Sequence, residues 1–385
     1  MTQTQQPRRP RERRGRRPGV FAGVVVLALL LLFGVPWATL VLPWPSPVVV
    51  AGTVLFGIAV VAFPVLMFLG HARGNDRAAL VADTTLGVVW VFFAWSVLSL
   101  VLRVALLGVP EPQRSRIIAV LVLVVGLALV GYGVREAMRV PRIRRVEVTL
   151  PRLGSGLDGT TVALLTDTHF GPIDRRRWSE RTAAAVNALR PDIVAHAGDI
   201  ADGTVEQRRA QVAPLGTITA PLARVYSTGN HEYFGEAQAW LDHMTSLGWD
   251  SLHNRHIVVE RGGHRLIVAG IDDATARASG LDGHGAELDR ALDGSPGDVP
   301  ILLLAHQPKQ IAETANQVDL QLAGHTHGGQ IWPFHYLVRT DQPVLHGLSQ
   351  HGTTQLYTSR GAGFWGPPLR VFAPSEITLL TLRAP

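Results

Sequence analysis

The chain of 385 residues contains no cysteine. That absence excludes disulfides, thiolate nucleophiles and cysteine-ligated zinc, and leaves His, Asp, Asn and Glu as the side chains able to hold a metal ion. Charge is also scarce, at 17% of residues against 47% hydrophobic. Such a balance is too apolar for one ordinary soluble domain, so part of the chain is expected in a membrane. The charge that is present leans basic, with a formal net value of +6, and its densest block is Arg8, Arg9, Arg11, Arg13, Arg14, Arg16 and Arg17. This block abuts a long apolar run, which membrane topology explains before nucleic acid does. No aromatic-interleaved basic module follows it, so no nucleic-acid binding is expected.

Four runs have about the 20 residues needed to cross roughly 30 Å of hydrocarbon as a helix. They are Gly19–Leu42, Val48–Gly70, Leu86–Val109 and Ile117–Val134. Pro36 and Pro64 would kink their helices without preventing insertion, and Arg103 lies near enough to an end to reach the headgroups. A secretory signal would account for the first run but not for the other three. Arginines in the short flanks set the orientation. The N-terminal tail carries seven, the loop after the second span two (Arg73, Arg77), and the segment after the fourth span five (Arg135, Arg139, Arg142, Arg144, Arg145). The opposite side carries two, Arg114 and Arg116. Both termini and the C-terminal half are therefore expected on the cytoplasmic side of the cell membrane, in a multi-pass protein. The expected organisation is a basic tail over 1–18, a membrane region with four transmembrane helices over 19–138, a basic linker and entry strand over 139–150, and one folded domain over 151–385. Polar or broken helices lining a path, as a transporter requires, are missing from these spans.

From about Arg145 the texture changes to short β-type runs separated by Gly, Asp and Pro turns, with helical stretches between them. Strands are predicted at 146–149, 161–166, 193–196, 224–227, 257–260, 265–269, 301–305, 320–322, 355–358 and 377–382. Helices are predicted at 178–189, 238–247, 286–292 and 308–315. Alternating strands and helices imply an α/β sheet system. Five of the strands are followed by candidate ligands: Asp167 and His169; Asp199 and Asp202; Asn230, His231 and Glu232; His306; and His325 and His327. Loops beyond the carboxyl ends of neighbouring strands converge on one crevice, so separate segments can build one site. Two divalent ions held about 3.5–4 Å apart need a bridging anion, which aspartate supplies, and neutral imidazoles to limit the negative charge.

The order of these clusters resembles the calcineurin-like metallophosphoesterase superfamily. Its pattern stands here as Asp167-Thr168-His169, Gly198-Asp199-Ile200-Ala201-Asp202, Gly229-Asn230-His231-Glu232, His306 and Gly324-His325-Thr326-His327. Likeness to a bacterial membrane-associated branch is added by Leu157-Asp158-Gly159, Gly270-Ile271-Asp272-Asp273, Gly328-Gly329-Gln330, Ser359-Arg360-Gly361 and Pro374-Ser375-Glu376-Ile377. The resemblance implies a four-helix transmembrane region followed by a metallophosphoesterase-type α/β sandwich of two mixed sheets flanked by helices.

It also implies that Asp167, His169 and His327 bind a first metal, that Asp199 bridges, and that Asn230, His306 and His325 bind a second. His231 would be the non-ligand histidine that protonates the leaving oxygen or steadies transition-state charge. The cofactors implied are two divalent ions, with Mn, Fe, Zn or Co all compatible with the donor set. Thr168 stands where relatives often carry Leu, and Glu232 where Asp is common; neither is a ligand position. Asp202 is expected to orient its surroundings, because the ligand set is complete without it. His196, His253, His256, His264, His335, His346 and His351 are expected to be packed, solvated or substrate-adjacent, and Arg360 and Gln330 to lie beside the substrate. The implied activity is phosphoester hydrolysis by metal-bridged hydroxide, with phosphodiester, lipid-linked or nucleotide-linked esters as candidate substrates. A regulatory membrane protein that binds metal without turnover is the alternative.

Overall fold

The computed structural model describes residues 18–385; the arginine block at positions 8–17 lies outside the described residues. Its first part is four long helices, α1 (Pro18–Leu40), α2 (Ser46–Met67), α3 (Asp76–Ala105) and α4 (Gln113–Met138). All four are long and apolar enough to cross a membrane. Pro36 and Pro64 lie inside α1 and α2 without ending them, and α2 runs on through a wider π-type turn at Phe68–Ala72. Asn75 caps α3 by accepting from the Ala78 amide at 3.0 Å. Arg103, the charge inside the third apolar run, reaches back to Glu111 and Ser115, both at 3.1 Å.

The second part is built from two six-stranded sheets. Strands β1 (Arg142–Thr149), β2 (Thr161–Leu165), β3 (Ile193–Ala197), β4 (Ala223–Ser227), β5 (Asp250–Ser251) and β12 (Glu376–Arg383) form one, in the order β1-β12-β2-β3-β4-β5. Strands β6 (Arg255–Arg261), β7 (His264–Gly270), β8 (Ile301–Leu304), β9 (Leu320–Ala323), β10 (Gly347–His351) and β11 (Thr354–Thr358) form the other, in the order β10-β11-β9-β8-β7-β6. Both are mixed. β12 runs parallel to β1 and antiparallel to β2, while β11, β9, β8 and β7 run parallel between the antiparallel outer strands β10 and β6.

Alternation along the strands makes the sandwich. Leu164 of β2, Ala195 of β3, Val225 of β4, Val268 of β7, Leu304 of β8 and Leu322 of β9 meet in one core between the sheets. Their neighbours in sequence face outward and are buried again, Leu165, Val194 and Tyr226 under helices that include α5 (Arg176–Ala188) and α7 (Ala237–Ser246). Burial on both faces is why these strands read as continuous apolar runs.

All the expected strands are present. β5, β10 and the helix α6 (Val205–Val212) were not expected, and the predicted helices at 286–292 and 308–315 shrink to about a turn each, Leu288–Ala291 and Ile311–Thr314. β10 is a half-exposed edge strand with a polar sequence, and α6 is started by a capping box between Thr204 and Gln207 rather than by apolar periodicity.

The two parts are packed together. Val91 of α3 is buried against Ile331, Leu369 and Val371, with Leu129 and Val130 of α4 alongside. The Trp90 indole donates to the Ile331 carbonyl at 3.3 Å, the Arg370 amide to the Gly133 carbonyl at 3.0 Å, and Arg208 pairs with both oxygens of Asp76 at 2.5 and 2.7 Å. Gly87 permits this approach: a Cβ there would stand 2.5 Å from Leu369.

Candidate metal centre

The loops after β2, β3, β4, β8 and β9 come together where the two sheets meet. Asp167, His169, Asp199, His325 and His327 all hold positive φ, between 41° and 68°. Non-glycine residues rarely adopt this conformation, and it concentrates where surrounding structure over-determines a functional loop. The turns are tight enough to require glycine beside them. A Cβ on Gly229 would lie 2.2 Å from Asp199 Oδ1, and one on Gly324 2.3 Å from Asp167 Oδ2.

The predicted ligands fall into two groups, Asp167, His169 and His327 on one side and Asp199, His306 and His325 on the other. His169 Nε2 lies 3.5 Å from Asp199 Oδ2, and His306 Nε2 3.0 Å from that same oxygen. His327 Nε2 is 3.4 Å from Asp167 Oδ1 and 3.1 Å from His169 Nε2. Asn230 Oδ1 stands 2.8 Å from His325 Nδ1. Asp199 thus lies between the two groups, and all seven expected ligands are brought into one cluster.

Hydrogen bonds on the far side of the rings decide which atoms face inward. His169 Nδ1 donates to Asp202 at 2.9 Å and His306 Nδ1 to the Ala197 carbonyl at 2.7 Å, so the Nε2 lone pair of each is available to the centre. His306 Nε2 has no aligned hydrogen-bond partner despite its complete burial. His327 differs: Arg370 donates to its Nδ1 at 3.1 Å, which puts the ring proton on Nε2. A metal at that nitrogen therefore requires the Arg370 contact to loosen and the proton to move.

The charges show the same demand for cations. Burial pushes the Asp167 carboxyl up, with Asp199 adding to the rise against His306. Burial also opposes ionisation of Asp199 and Asp202, yet the surrounding histidines hold both well below the usual carboxylate range. His306 is desolvated but raised well above an ordinary histidine by Asp199 and Asp167, and burial with the neighbouring His306 lowers His325 to about 3. In the metal-free chain protons supply part of the positive charge these carboxylates require. Two aspartates, four imidazoles and an amide oxygen suit divalent ions, so the residues fit the cofactors expected.

Asp202 serves both His169 and His231, accepting from His231 Nδ1 at 2.7 Å with the same Oδ1. His231 is thereby oriented through Nδ1, with Nε2 as its other ring nitrogen. Burial disfavours its charge, but Asp199 and Asp202 raise it to about 9. Glu232 is a brace: its carboxylate accepts from the amides of Gly229, Asp199 and Ile200 at 2.6, 3.0 and 2.8 Å, tying the β4 loop to the β3 loop. The Thr168 hydroxyl donates to the Ile200 carbonyl at 2.9 Å and lies 3.2 Å from His196 Nε2, giving that buried ring a polar neighbour.

Sequence reasoning missed Arg175 and Arg370, both fully buried cations. Arg175 donates to the Thr168 and His169 carbonyls and is enclosed by Phe170, Trp178 and Phe364; Arg370 bonds the His327, Arg360, Gly363 and Ala373 carbonyls. Each holds one ligand loop from behind. For Arg370 an arginine within the apolar stretch Pro367–Ala373 was the available signal, whereas Arg175, first of three consecutive arginines, carried none. Gln330 lines the cavity over the centre, whereas Arg360 turns to Glu376 and His346. Among the other histidines, His253 and His284 gather around Asp272, whose oxygens also accept from Asn254 and Gly285.

An α/β sandwich with histidine, aspartate and asparagine converging from five strand ends defines a metal-centred phosphoesterase fold. Residues 160–329 match the family described as calcineurin-like phosphoesterase. A transmembrane protein with metallophosphoesterase domain from Danio rerio is 37% identical over 274 residues, covering 69% of this chain and 62% of that protein. An uncharacterized metallophosphoesterase from Helicobacter pylori is 38% identical over 262 residues, covering 66% and 68%, and one from Campylobacter jejuni 32% over 297 residues, covering 75% and 76%. The chain belongs to the calcineurin-like metallophosphoesterase family, whose members here come from animals as well as bacteria. It spans 62%, 59% and 56% of the length of the animal relatives from Danio rerio, Bos taurus and Caenorhabditis elegans.

Proposed function

We propose that the chain is a membrane-embedded, metal-dependent phosphoester hydrolase, with Asp167, His169 and His327 holding one divalent ion, Asn230, His306 and His325 a second, and Asp199 shared between them. The observation that carries this reading is the convergence of His169 Nε2 and His306 Nε2 on one oxygen of Asp199, at 3.5 and 3.0 Å, with their other ring nitrogens already committed. Divalent ions bound there supply Lewis-acid neutralisation of phosphoryl charge and a nucleophilic water. The chain's residues do the rest. Asp202 fixes the His231 ring through Nδ1, and His231 holds a proton at Nε2 for the departing oxygen. In the overall hydrolysis the water oxygen forms the new bond to phosphorus and the bond to the leaving oxygen breaks. His231 gives that oxygen its proton and is reprotonated by solvent, so one water is consumed.

The Danio rerio relative carries the same pairing of a transmembrane protein and this domain in its name. The cytoplasmic side is favoured for the catalytic part, because the loop bearing Arg73 and Arg77 lies at the end of the bundle that meets it, where Asp76 pairs with Arg208. The test compares His231→Gln with Asp199→Asn in the purified full chain, by elemental analysis and by turnover of an aryl phosphodiester. His231→Gln is expected to lose most turnover and keep its metal, and Asp199→Asn to lose both. Equal metal loss would refute the role of His231, and a fully metal-loaded wild type that hydrolyses no ester would refute the function. The side of the membrane is tested separately with a cysteine placed at exposed Gln350, unique in a chain with none. An impermeant maleimide reacting in intact cells would refute the cytoplasmic face.

A further inference from the structure

The metal centre does not open directly to bulk water on every side. A cavity of about 450 Å³ rises from it, with His231, His325 and His327 at its floor and Leu86 and Trp90 of membrane helix α3 in its wall. Phe334, Val338 and Trp365 of the catalytic part complete the wall, which is mainly apolar in surface above the polar floor. A phosphate ester needs no such surface; a long apolar substituent does.

The position of this cavity along α3 says where its apolar end lies. The charges of the first part of the helix, Asp76, Arg77 and Asp83, all precede Leu86, and none follows until Arg103. Leu86 and Trp90 lie about 15 and 21 Å along the helix axis from Asp76, at 1.5 Å per residue. They therefore stand where the helix passes from its polar end into its uncharged stretch. Around them aromatic rings gather from both parts, Trp90 against Phe334 at 5.7 Å and Trp95 against Trp332 at 6.1 Å, as at a membrane interface. The catalytic part also exposes Trp365, Tyr336 and Leu337 beside the cavity, at 49, 62 and 53% of full exposure. Large apolar side chains so exposed beside apolar helices are the kind of surface that a bilayer would cover.

A second, more polar cavity of about 550 Å³ reaches the centre from the other side of Leu86, Phe234 and Trp365, lined by His71, Asp76, Asp83 and Asp202 among others. The centre thus has an apolar approach along α3 and a second beside the α2–α3 loop, whose largely apolar wall is interrupted by charged side chains. That pairing matches an amphiphile.

We infer that the substrate is a membrane-resident phosphoester that enters sideways from the lipid, its phosphate at the metal centre and its long hydrocarbon substituent lying between α3 and the Phe334–Val338 and Trp365 loops. Helix α3 is then part of the substrate site and not a tether alone. This rests on the hydrolase reading above and adds the class of ester.

The test uses the metal-loaded full chain in lipid nanodiscs and two 4-nitrophenyl phosphodiesters with the same leaving group, one bearing an ethyl and the other a dodecyl substituent. Partitioning into the disc favours the dodecyl ester by itself, so the decisive comparison is between proteins. Val338→Trp adds bulk to the wall of the apolar cavity and replaces no proposed metal ligand. It is expected to lower kcat/KM for the dodecyl ester about tenfold or more while leaving the ethyl ester within about twofold. Leu86→Phe, on the facing wall, carries the same comparison should Val338→Trp not fold, as judged by metal content and thermal melting. Equal loss on both esters, or no loss on either, overturns the inference while leaving the hydrolase standing. Hydrolysis of neither ester by the loaded wild type fails the hydrolase reading first.

Discussion

Asp202 is the residue whose substitution separates positioning from ligation most cleanly. One of its oxygens, Oδ1, accepts from His169 at 2.9 Å and from His231 at 2.7 Å, so a single carboxylate orients a proposed metal ligand and the proposed acid. Both are charge-assisted hydrogen bonds when the imidazole is protonated, each worth about 1.5–3 kcal/mol. Asp202→Asn keeps an acceptor oxygen in place and removes only the charge, which weakens such bonds by roughly half. Asp202→Ala removes the acceptor.

Replacing partners behind a metal ligand costs about 10–100-fold in affinity or activity. The alanine variant is therefore expected to bind the first metal 10–100-fold more weakly, about 1.4–2.8 kcal/mol. The asparagine variant should sit near the lower bound. At saturating metal the asparagine variant should still lose turnover, because His231 without the Asp202 charge gives up its proton at lower pH. Its alkaline activity limb should accordingly move to lower pH. Metal-buffered titration followed by pH profiles of kcat measures both effects. Wild-type affinity and turnover in the alanine variant would refute the positioning role. Loss of a whole equivalent of metal from the asparagine variant, matching Asp199→Asn, would make Asp202 a ligand instead.

In the metal-free chain His231, lifted from 6.5 to about 9 by Asp199 and Asp202, contributes stability that is complete below pH 6.5 and lost as pH rises through 9. Melting of the stripped protein should fall across that window by an amount equivalent to about 3 kcal/mol, less so in His231→Gln; a ring titrating at 6.5 or below by NMR would contradict this. Gly324→Ala would push a Cβ to 2.0 Å from Thr166 Oγ1 and 2.3 Å from Asp167 Oδ2. It should cost about 1–3 kcal/mol in denaturant unfolding and lower the metal content. Asp76→Asn leaves the buried Arg208 facing a neutral partner; with Asp76 itself 43% exposed, a loss of about 1 kcal/mol is expected, read as a lowered Tm of the full chain.

The proposed ligands were legible because each follows a strand end, and all but His306 lie in or beside a turn that contains glycine. The strands were legible because both their faces are buried. What escaped is what depends on distant partners. Glu232 looks like an acidic neighbour of a histidine, and only the fold shows it accepting three amides from two loops. Arg175 and Arg370 look like ordinary basic residues, and their burial behind the ligand loops is a tertiary fact. The four apolar runs could be counted from sequence, but Leu86 and Trp90 carry no mark distinguishing a cavity wall from a lipid-facing stripe.

Those two residues change what the membrane part means. Helix α3 meets the metal centre by two separate routes. At its start, Asp76 grips Arg208, whose Nε donates to the Asp202 carbonyl at 2.8 Å, and Asp202 in turn holds His169 and His231. Three turns further on, Leu86 and Trp90 form the wall of the cavity above the same histidines. A simple tether requires neither contact, since a flexible linker after α4 would hold an independent domain at the surface equally well. Here no linker intervenes: α4 ends at Met138 and β1 begins at Arg142, pairing along its whole length with β12. The helix and the catalytic loops are therefore fixed as one body. On the membrane reading proposed above, the depth of the proposed active site relative to the bilayer follows from how α3 is inserted.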